Sequence, residues 1–292
     1  MTQKINLENN LKLMVALDLT EMDPILLQYV SFLCKVWNIE HVYFTHNIKQ
    51  YKLYDLYDEF LDEGITIEEI VDRGLQKTVD KNYTASVPYT VVITSDDYTE
   101  SILTHLASEY KIDIVIAGNK DELQGTGALN QKLARMLDCN MLLVPEEAKH
   151  HINNVLVPTD FSSDSARCFN VAESLVARSG GTIEGLHVYN IPSVFFPYIN
   201  TEKAIDKTKT HLKERVKQFK KRYSISENLP FRYIDRENLS VVEAIEIHAE
   251  KDGFDIIVVS ARGGNNITSL FLGSITNDLL IRNRKMPLLV VK

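Results

Sequence analysis

The sequence predicts an α/β protein made of two tandem copies of one domain, each built on a doubly wound, parallel, five-stranded sheet. Short apolar runs alternate along the chain with longer segments of helical periodicity. This alternation is typical of parallel sheets that are covered by helices on both faces. Segments of the first half also recur in the second half at a nearly constant spacing, which indicates a duplication.

The duplication is clearest in two stretches that share an offset of 142 residues. Residues 13–20 align with residues 155–162, and residues 112–116 align with residues 254–258. The last apolar runs of the two copies align at the slightly larger offset of 147. Chance does not readily place two separate landmarks at one offset, so we predict that the chain is a tandem repeat.

The predicted domains are an N-terminal domain over residues 1–146 and a C-terminal domain over residues 150–292, joined by a short polar link. Their last apolar runs, residues 141–144 and 288–291, are expected to be edge strands, and unpaired apolar edges favour pairing. The two copies are therefore expected to pair within one chain as a pseudo-dimer. A homodimer is left open.

The strands are predicted from short apolar runs that are rich in β-branched residues. In the first copy they lie near residues 12–17, 40–46, 89–94, 112–117 and 140–144. In the second copy they lie at residues 155–158, 182–189, 230–234, 254–259 and 287–291.

The helices are predicted from apolar residues at helical spacing and from start and stop signals. A helix over residues 162–179 has Ala166, Phe169 and Ala172 on one face and is closed by Gly180. Further helices of the second copy are predicted near residues 203–223, 240–249 and 273–282.

The composition favours a cytoplasmic globular protein. The 292 residues carry a formal net charge of −8, which disfavours binding of nucleic acid because like charges repel. The three cysteines are too few and too scattered for a disulfide framework. We expect no signal peptide and no membrane partner, because the N-terminus lacks an apolar core and no apolar run approaches ~18 residues.

A ligand of such a sheet is expected outside the carboxyl ends of the strands, where the strand order reverses. The residues that follow the first strand are Asp18 in the first copy and Asp160 in the second. After the fourth strand of the second copy comes a loop over residues 260–274 that contains Gly263 and the pair Gly273-Ser274.

These residues resemble the universal stress protein family, whose nucleotide-binding members carry Gly-x2-Gly-x9-Gly-Ser/Thr after the fourth strand. Here Gly263 is followed after nine residues by Gly273-Ser274, and Asp160 follows the first strand. The resemblance covers nearly the whole chain as two copies. It implies a Rossmann-like, adenine nucleotide alpha hydrolase-like fold and a non-catalytic stress-response sensor or regulator. It also implies that the C-terminal domain binds ATP or another adenine nucleotide, with the need for Mg²⁺ left open.

The resemblance also implies which residues hold the nucleotide. Val188 and Val259 would flank the adenine, with Pro158 and Thr159 beside Asp160. The remaining predicted binding residues belong to the loop and the helix that follows it: Ser260, Gly263, Gly273, Ser274 and Ile275.

The chemistry of these residue types fits a phosphate. Glycine lets the backbone approach a phosphate closely, and the first N–H groups of a helix attract an anion. The Ser274 hydroxyl can cap the helix or donate to a phosphate. A carboxylate such as Asp160 is an acceptor suited to a ribose or to a metal-bound phosphate.

The sequence departs from the family pattern in both copies. Ser260 replaces the first glycine in the second copy, where its small hydroxyl can donate to a phosphate or ribose oxygen. In the first copy Asp121 replaces the second glycine, the loop is shorter, and Gly127-Ala128 lacks the hydroxyl. A carboxylate beside a phosphate is repulsive, so we predict that the first copy has lost or changed its phosphate site.

Simpler interpretations of the same residues remain open. Asp18 and Asp160 are also suited to capping the next helix, and the glycines to a turn and a helix start. Arg262 is expected in solvent, although it is also placed to reach a phosphate, and His187 is expected to pack in a strand. Residues 51–60 are interpreted as an amphipathic helix, with a partner surface as the alternative. Residues 203–222 are interpreted as a solvated basic helix face, with a contact to an anion, a membrane surface or RNA as the alternative.

Two other functions are kept beside nucleotide sensing. One is a nucleotide-free interaction scaffold of the same fold that binds an unknown protein partner, and Ser260 and the altered first copy favour it. The other is a slow nucleotide hydrolase. It is the weaker alternative, because the sequence contains no recognisable pairing of a nucleophile with a general base.

Overall fold

The computed structural model describes residues 10–49, 65–120, 126–191, 201–263, 272–283 and 285–292. The predicted helix over residues 51–60 lies outside these residues, as do Asp121 and Gly264. None of the helices within the described ranges has the length and apolarity needed to cross a membrane. The chain packs as two compact units.

The first unit contains the predicted strands of the first copy in a parallel sheet. They are β1 (Leu11–Ala16), β2 (Ile39–Ile48), β3 (Tyr89–Ser95), β4 (Ile114–Asn119) and β5 (Asn140–Pro145). Neighbouring strands follow the order β3-β2-β1-β4-β5, with parallel pairing throughout. The order reverses between β1 and β4, and ligand crevices form at such a position.

The helices of the first unit connect these strands. They are α1 (Met22–Val36), α2 (Ile67–Asn82), α3 (Thr99–Glu109) and α4 (Thr126–Met136). The central strands β1 and β4 are buried, as Leu13, Val15, Ile114 and Ile116 are fully inaccessible to solvent. This burial explains why both strands read as continuous apolar runs rather than as an alternating pattern.

The second unit repeats the plan with β6 (Asn154–Pro158), β7 (Thr182–Tyr189), β8 (Phe231–Asp235) and β9 (Ile256–Ser260). Their order is β9-β6-β7-β8, again with parallel pairing in β6–β7, β6–β9 and β7–β8. The helices are α5 (Ser163–Val176), α6 (Thr201–Tyr223), α7 (Val241–Lys251) and α8 (Ser274–Arg282).

The last strand, β10 (Leu288–Val291), pairs antiparallel with β5 of the first unit, with Leu289 opposite Leu142. Packing therefore groups most of β10 with the first unit, while the Val291 carbonyl accepts a hydrogen bond from Ala261 N in the second. The predicted α/β class with tandem, doubly wound topology is confirmed. The boundaries at residues 1–146 and 150–292 and the pseudo-dimer stay predictions.

The same hydrogen bonds anchor the first strand of each copy. Asp113 Oδ2 accepts from Lys12 N at 2.9 Å, and Asp255 Oδ2 accepts from Asn153 N at 2.9 Å and from Asn154 N at 3.0 Å. Asp113 and Asp255 are aligned at the offset of 142. The duplication found in the sequence is thus repeated in the contacts.

Helix boundaries differ from the predicted ones where the backbone conformation ends a helix early. The predicted helix over residues 162–179 ends at Val176, because Gly180 takes a left-handed conformation with φ 66° and donates to the Val176 carbonyl. Such a conformation suits glycine and closes the helix. The basic helix is confirmed as α6, which buries Leu212, Val216 and Phe219 at helical spacing beneath its charged face.

Candidate functional site

A cavity of about 350 Å³ lies in the second unit at the carboxyl ends of β6, β7 and β9. It is the crevice expected for this topology. Every predicted binding residue lines it: Pro158, Thr159, Asp160, Val188, Val259, Ser260, Gly263, Gly273, Ser274 and Ile275. The fold therefore brings together residues from four separate stretches of the chain.

Asp160 occupies a tight turn between β6 and α5. Its Oδ1 accepts a hydrogen bond from Ser162 N at 3.0 Å, and Ser162 in turn caps α5 by accepting from Ser165 N. Phe161 between them has φ 66°, as Leu19 has φ 60° at the aligned position of the first copy. Asp160 thus holds the turn that precedes α5, while Ser162 and not Asp160 caps the helix, and the Asp160 carboxylate also lines the cavity.

Gly263 and Gly273 differ in how much room a side chain would have. A Cβ on Gly263 would lie 3.2 Å from Asp160 Oδ2, which is crowded, whereas a Cβ on Gly273 would lie 3.5 Å from Gly263 N, an ordinary contact distance. Gly273 N also donates to the Ala261 carbonyl at 2.8 Å, which fixes the start of α8 against the end of β9. The backbone is consequently open to a close approach beside the first turn of α8.

Two residues differ from the sequence expectation. The Ser260 hydroxyl donates to the Arg262 carbonyl at 2.5 Å, so it holds its own loop. Arg262, which we expected in solvent, is half-buried and lines the cavity. Two residues before it, the Ser260 carbonyl accepts a hydrogen bond from Thr276 of α8 at 2.7 Å.

His187 also lines the cavity, although it was expected only to pack. Its Nδ1 lies 2.8 Å from the Thr159 carbonyl, so this nitrogen carries the proton that is donated. Burial lowers the pKa of His187, which keeps the imidazole neutral at pH 7. The neutral ring then has Nε2 as a hydrogen-bond acceptor.

Much of the cavity lining is apolar. Sequence reasoning found Val188 and Val259 but missed their neighbours Leu186, Val241 and Ile245. Val241 and Ile245 are four residues apart on α7, whose capping box at Ser240 and Glu243 marks the helix start. That spacing was the available signal, because residues four apart share one face of a helix.

The first unit has the matching turn with different chemistry. Asp18 forms an ion pair with Lys120, and Thr20 also donates to it. Asp23 stands at the position aligned with Ser165, is 2% exposed, and accepts hydrogen bonds from Asp18 N and Leu19 N. The turn of the first unit therefore contains two carboxylates, where the second unit has Asp160 and Ser165.

We expect the stability of the first unit to fall as pH rises from about 4 to 6. Burial raises the pKa of Asp23 to about 6 from 3.8, so the folded state binds this proton more tightly than the unfolded chain does. The favourable contribution is complete below 3.8 and is lost through the folded pKa, amounting to about 3 kcal/mol. Urea unfolding of the wild type and Asp23→Asn at several pH values measures it. Parallel curves for the two proteins would contradict the assignment.

Comparison with known proteins supports the fold of the whole chain and the family resemblance of the C-terminal copy. Residues 151–292 match the model of the universal stress protein family. The chain is similar in structure to a universal stress protein from Archaeoglobus fulgidus, with 18% identity, TM-score 0.62, and coverage of 96% of this chain and 98% of that chain. A putative universal stress protein from Pseudomonas aeruginosa has 11% identity, TM-score 0.66, and coverage of 98% and 94%.

At these identities the structural neighbours establish the fold alone. No curated protein sequence matches the chain significantly. The family match covers the copy that contains the cavity, the Asp160 turn and the Gly263 and Gly273 loop. Residues 151–292 therefore belong to the universal stress protein family, and the whole chain shares the fold of a universal stress protein.

Proposed function

We propose that the C-terminal unit binds ATP or a related adenine nucleotide in the cavity beside Asp160. The observation that supports this most is that the cavity lining combines apolar side chains with the start of a helix. The apolar side chains include Leu186, Val188, Ile245 and Val259, and the helix is α8, which begins at Ser274. A flat apolar base and an anionic tail need both kinds of surface.

The lining has groups suited to each part of the ligand. Val188 and Val259 would flank the adenine, and the neutral His187 ring supplies an acceptor nearby. Gly263 and Gly273 leave the backbone open for phosphates, and Arg262 would add positive charge. Asp160 is suited to the ribose or to a metal-bound phosphate.

We propose a sensing role rather than a catalytic one. The ionisable groups among the described lining residues are Asp160, His187 and Arg262, and Asp160 and His187 both hold local backbone groups. No described lining residue pairs a nucleophile with a general base. Nucleotide binding would instead bias the loop between β9 and α8, which a protein partner would read.

We place this function in the cytoplasm. Cys34, Cys139 and Cys168 are free thiols, and burial raises the pKa of Cys139 to about 12, so that thiol stays protonated and unreactive. Free thiols are typical of a reducing compartment. The acidic net charge of −8 disfavours nucleic acid as a partner.

The second candidate function is a nucleotide-free interaction scaffold. It is favoured by the Ser260 hydroxyl, which donates to the Arg262 carbonyl instead of facing a ligand. It is also favoured by the ion pair between Asp18 and Lys120 in the first unit.

Calorimetric titration of the full chain with ATP tests the two functions. The proposal expects saturable binding of one nucleotide per chain, because only the second unit keeps the glycine cradle. Mass spectrometry of the supernatant after denaturation would reveal nucleotide carried through purification. Absence of both binding and bound nucleotide would favour the scaffold, and two equivalent sites would contradict the assignment to one unit.

A further inference from the structure

The first unit contains a second cavity, of about 490 Å³, at the position that corresponds to the cavity of the second unit. The correspondence is residue by residue. In both units the histidine at the end of the second strand donates to the carbonyl that precedes the aspartate, His46 to Leu17 and His187 to Thr159. Two further aligned pairs line the cavities, Asp18 with Asp160 and Leu129 with Ile275.

The end that holds phosphate in our proposal for the second unit is closed to anions in the first. Thr159 and Ser165 are replaced by Leu17 and Asp23, which removes two hydroxyl donors and adds a buried carboxylate. A Cβ on Gly118 would lie only 2.5 Å from Met22 Cγ, so the methionine side chain covers this glycine. An anionic group would also have to face the Asp18 carboxylate, which lines the cavity.

The positive charge at this end is already neutralised. Lys120 Nζ lies 2.5 Å from Asp18 Oδ2. An anionic ligand would have to break this ion pair, and a cationic one would compete with Lys120 for Asp18. An uncharged ligand leaves the pair intact.

The polar side chains deeper in the cavity are used by the protein itself. Thr45 donates to the Val15 carbonyl, and Asn47 donates to the Asp96 carbonyl and to Thr99 while accepting from Thr94. Asn130 donates to the Gly118 carbonyl. The remaining lining is aliphatic apart from the exposed Lys49, and it includes Leu26, Ile48, Ile67, Val71, Leu103 and Leu133.

We propose that this cavity, the apolar cavity, binds an uncharged, predominantly apolar small molecule. Its volume of about 490 Å³ lies within the range of roughly 300–1,000 Å³ found for small-molecule sites. The apolar cavity then differs in chemistry from the corresponding cavity of the second unit, although both derive from one duplicated crevice. This inference does not depend on nucleotide binding by the second unit.

Titration of the full chain with N-phenyl-1-naphthylamine tests the proposal, since this uncharged dye becomes fluorescent in apolar sites. We expect saturable binding of one dye per chain. Leu129→Trp fills the apolar cavity and should weaken dye binding at least about tenfold. Ile275→Trp, the matched change in the second unit, should leave dye binding within about twofold.

The same pair of variants separates this proposal from the proposed function. Leu129→Trp should leave ATP binding unchanged, and Ile275→Trp should reduce it. If circular dichroism shows that Leu129→Trp does not fold, Val71→Trp fills the same cavity from α2 and decides the question. The proposal is overturned if the wild type shows no saturable dye binding, or if a folded cavity-filling variant binds the dye as the wild type does.

Discussion

Ser274→Asp is expected to weaken ATP binding at least about 100-fold without lowering the stability of the protein. Ser274 is the exposed first residue of α8 and lines the cavity. Two like charges about 4 Å apart repel by about 4 kcal/mol at an effective dielectric constant of 20. The same carboxylate interacts favourably with the helix N-terminus, by about 0.3–1 kcal/mol. Calorimetry for ATP and thermal unfolding for stability separate the two effects.

Adenosine and a matched variant provide the controls. Adenosine carries no charge, so its affinity should change by less than about threefold in Ser274→Asp. Ala128→Asp makes the corresponding change near the start of α4, where we propose no phosphate, and should leave ATP binding unchanged. Equal losses for ATP and adenosine would show a distorted site instead of a phosphate site, and unchanged ATP binding would place the phosphates elsewhere.

The positions of the predicted residues follow from topology, which is why they were predictable. Asp160 and Gly263 come directly after β6 and β9, and these strands are neighbours in the sheet. Residues after neighbouring parallel strands meet at one edge whatever the details of side-chain packing. Gly273 is drawn to the same edge by the hydrogen bond from its N–H to the Ala261 carbonyl.

The residues that were missed depend on local packing instead. His187 corresponds in its hydrogen bond to His46, yet the two lie 141 residues apart, one fewer than the offset used for alignment. Neighbouring residues of a strand point to opposite faces of the sheet, so an alignment at an offset of 142 does not match His46 with His187. Arg262 was misplaced because the half-buried position of its side chain beside the cavity depends on tertiary packing.

The last strand shows what an apolar run cannot predict, namely the direction in which a strand pairs. Its four residues Leu288–Val291 are fully apolar and were predictable as a strand. Its antiparallel pairing with β5 was expected only as pairing between edges, because an apolar run indicates burial and contains no information on direction. Register and direction arise from tertiary packing.

The Asp255 side chain that anchors β6 is a site where a single change should strongly destabilise the second unit. Asp255 is 6% exposed, and its Oδ2 accepts from Asn153 N and Asn154 N at 2.9 and 3.0 Å. Asp255→Ala would leave two backbone N–H groups without this acceptor. Each such loss costs about 1–3 kcal/mol, so we expect the free energy of unfolding to fall by about 4 kcal/mol.

Asp113→Ala is the matched change in the first unit. It should lower the free energy of unfolding by less, about 1–2 kcal/mol, because Asp113 is half-buried and its Oδ2 accepts from one anchoring backbone donor, Lys12 N, where Asp255 accepts from two. Urea unfolding of both variants at pH 7 measures the difference. A larger loss for Asp255→Ala would mean that the duplicated anchor has been strengthened in the copy that we propose binds nucleotide. Equal losses would show that the number of hydrogen bonds does not determine the loss of unfolding free energy. The two aspartates precede equivalent strands and differ chiefly in burial and in the number of N–H groups that they hold.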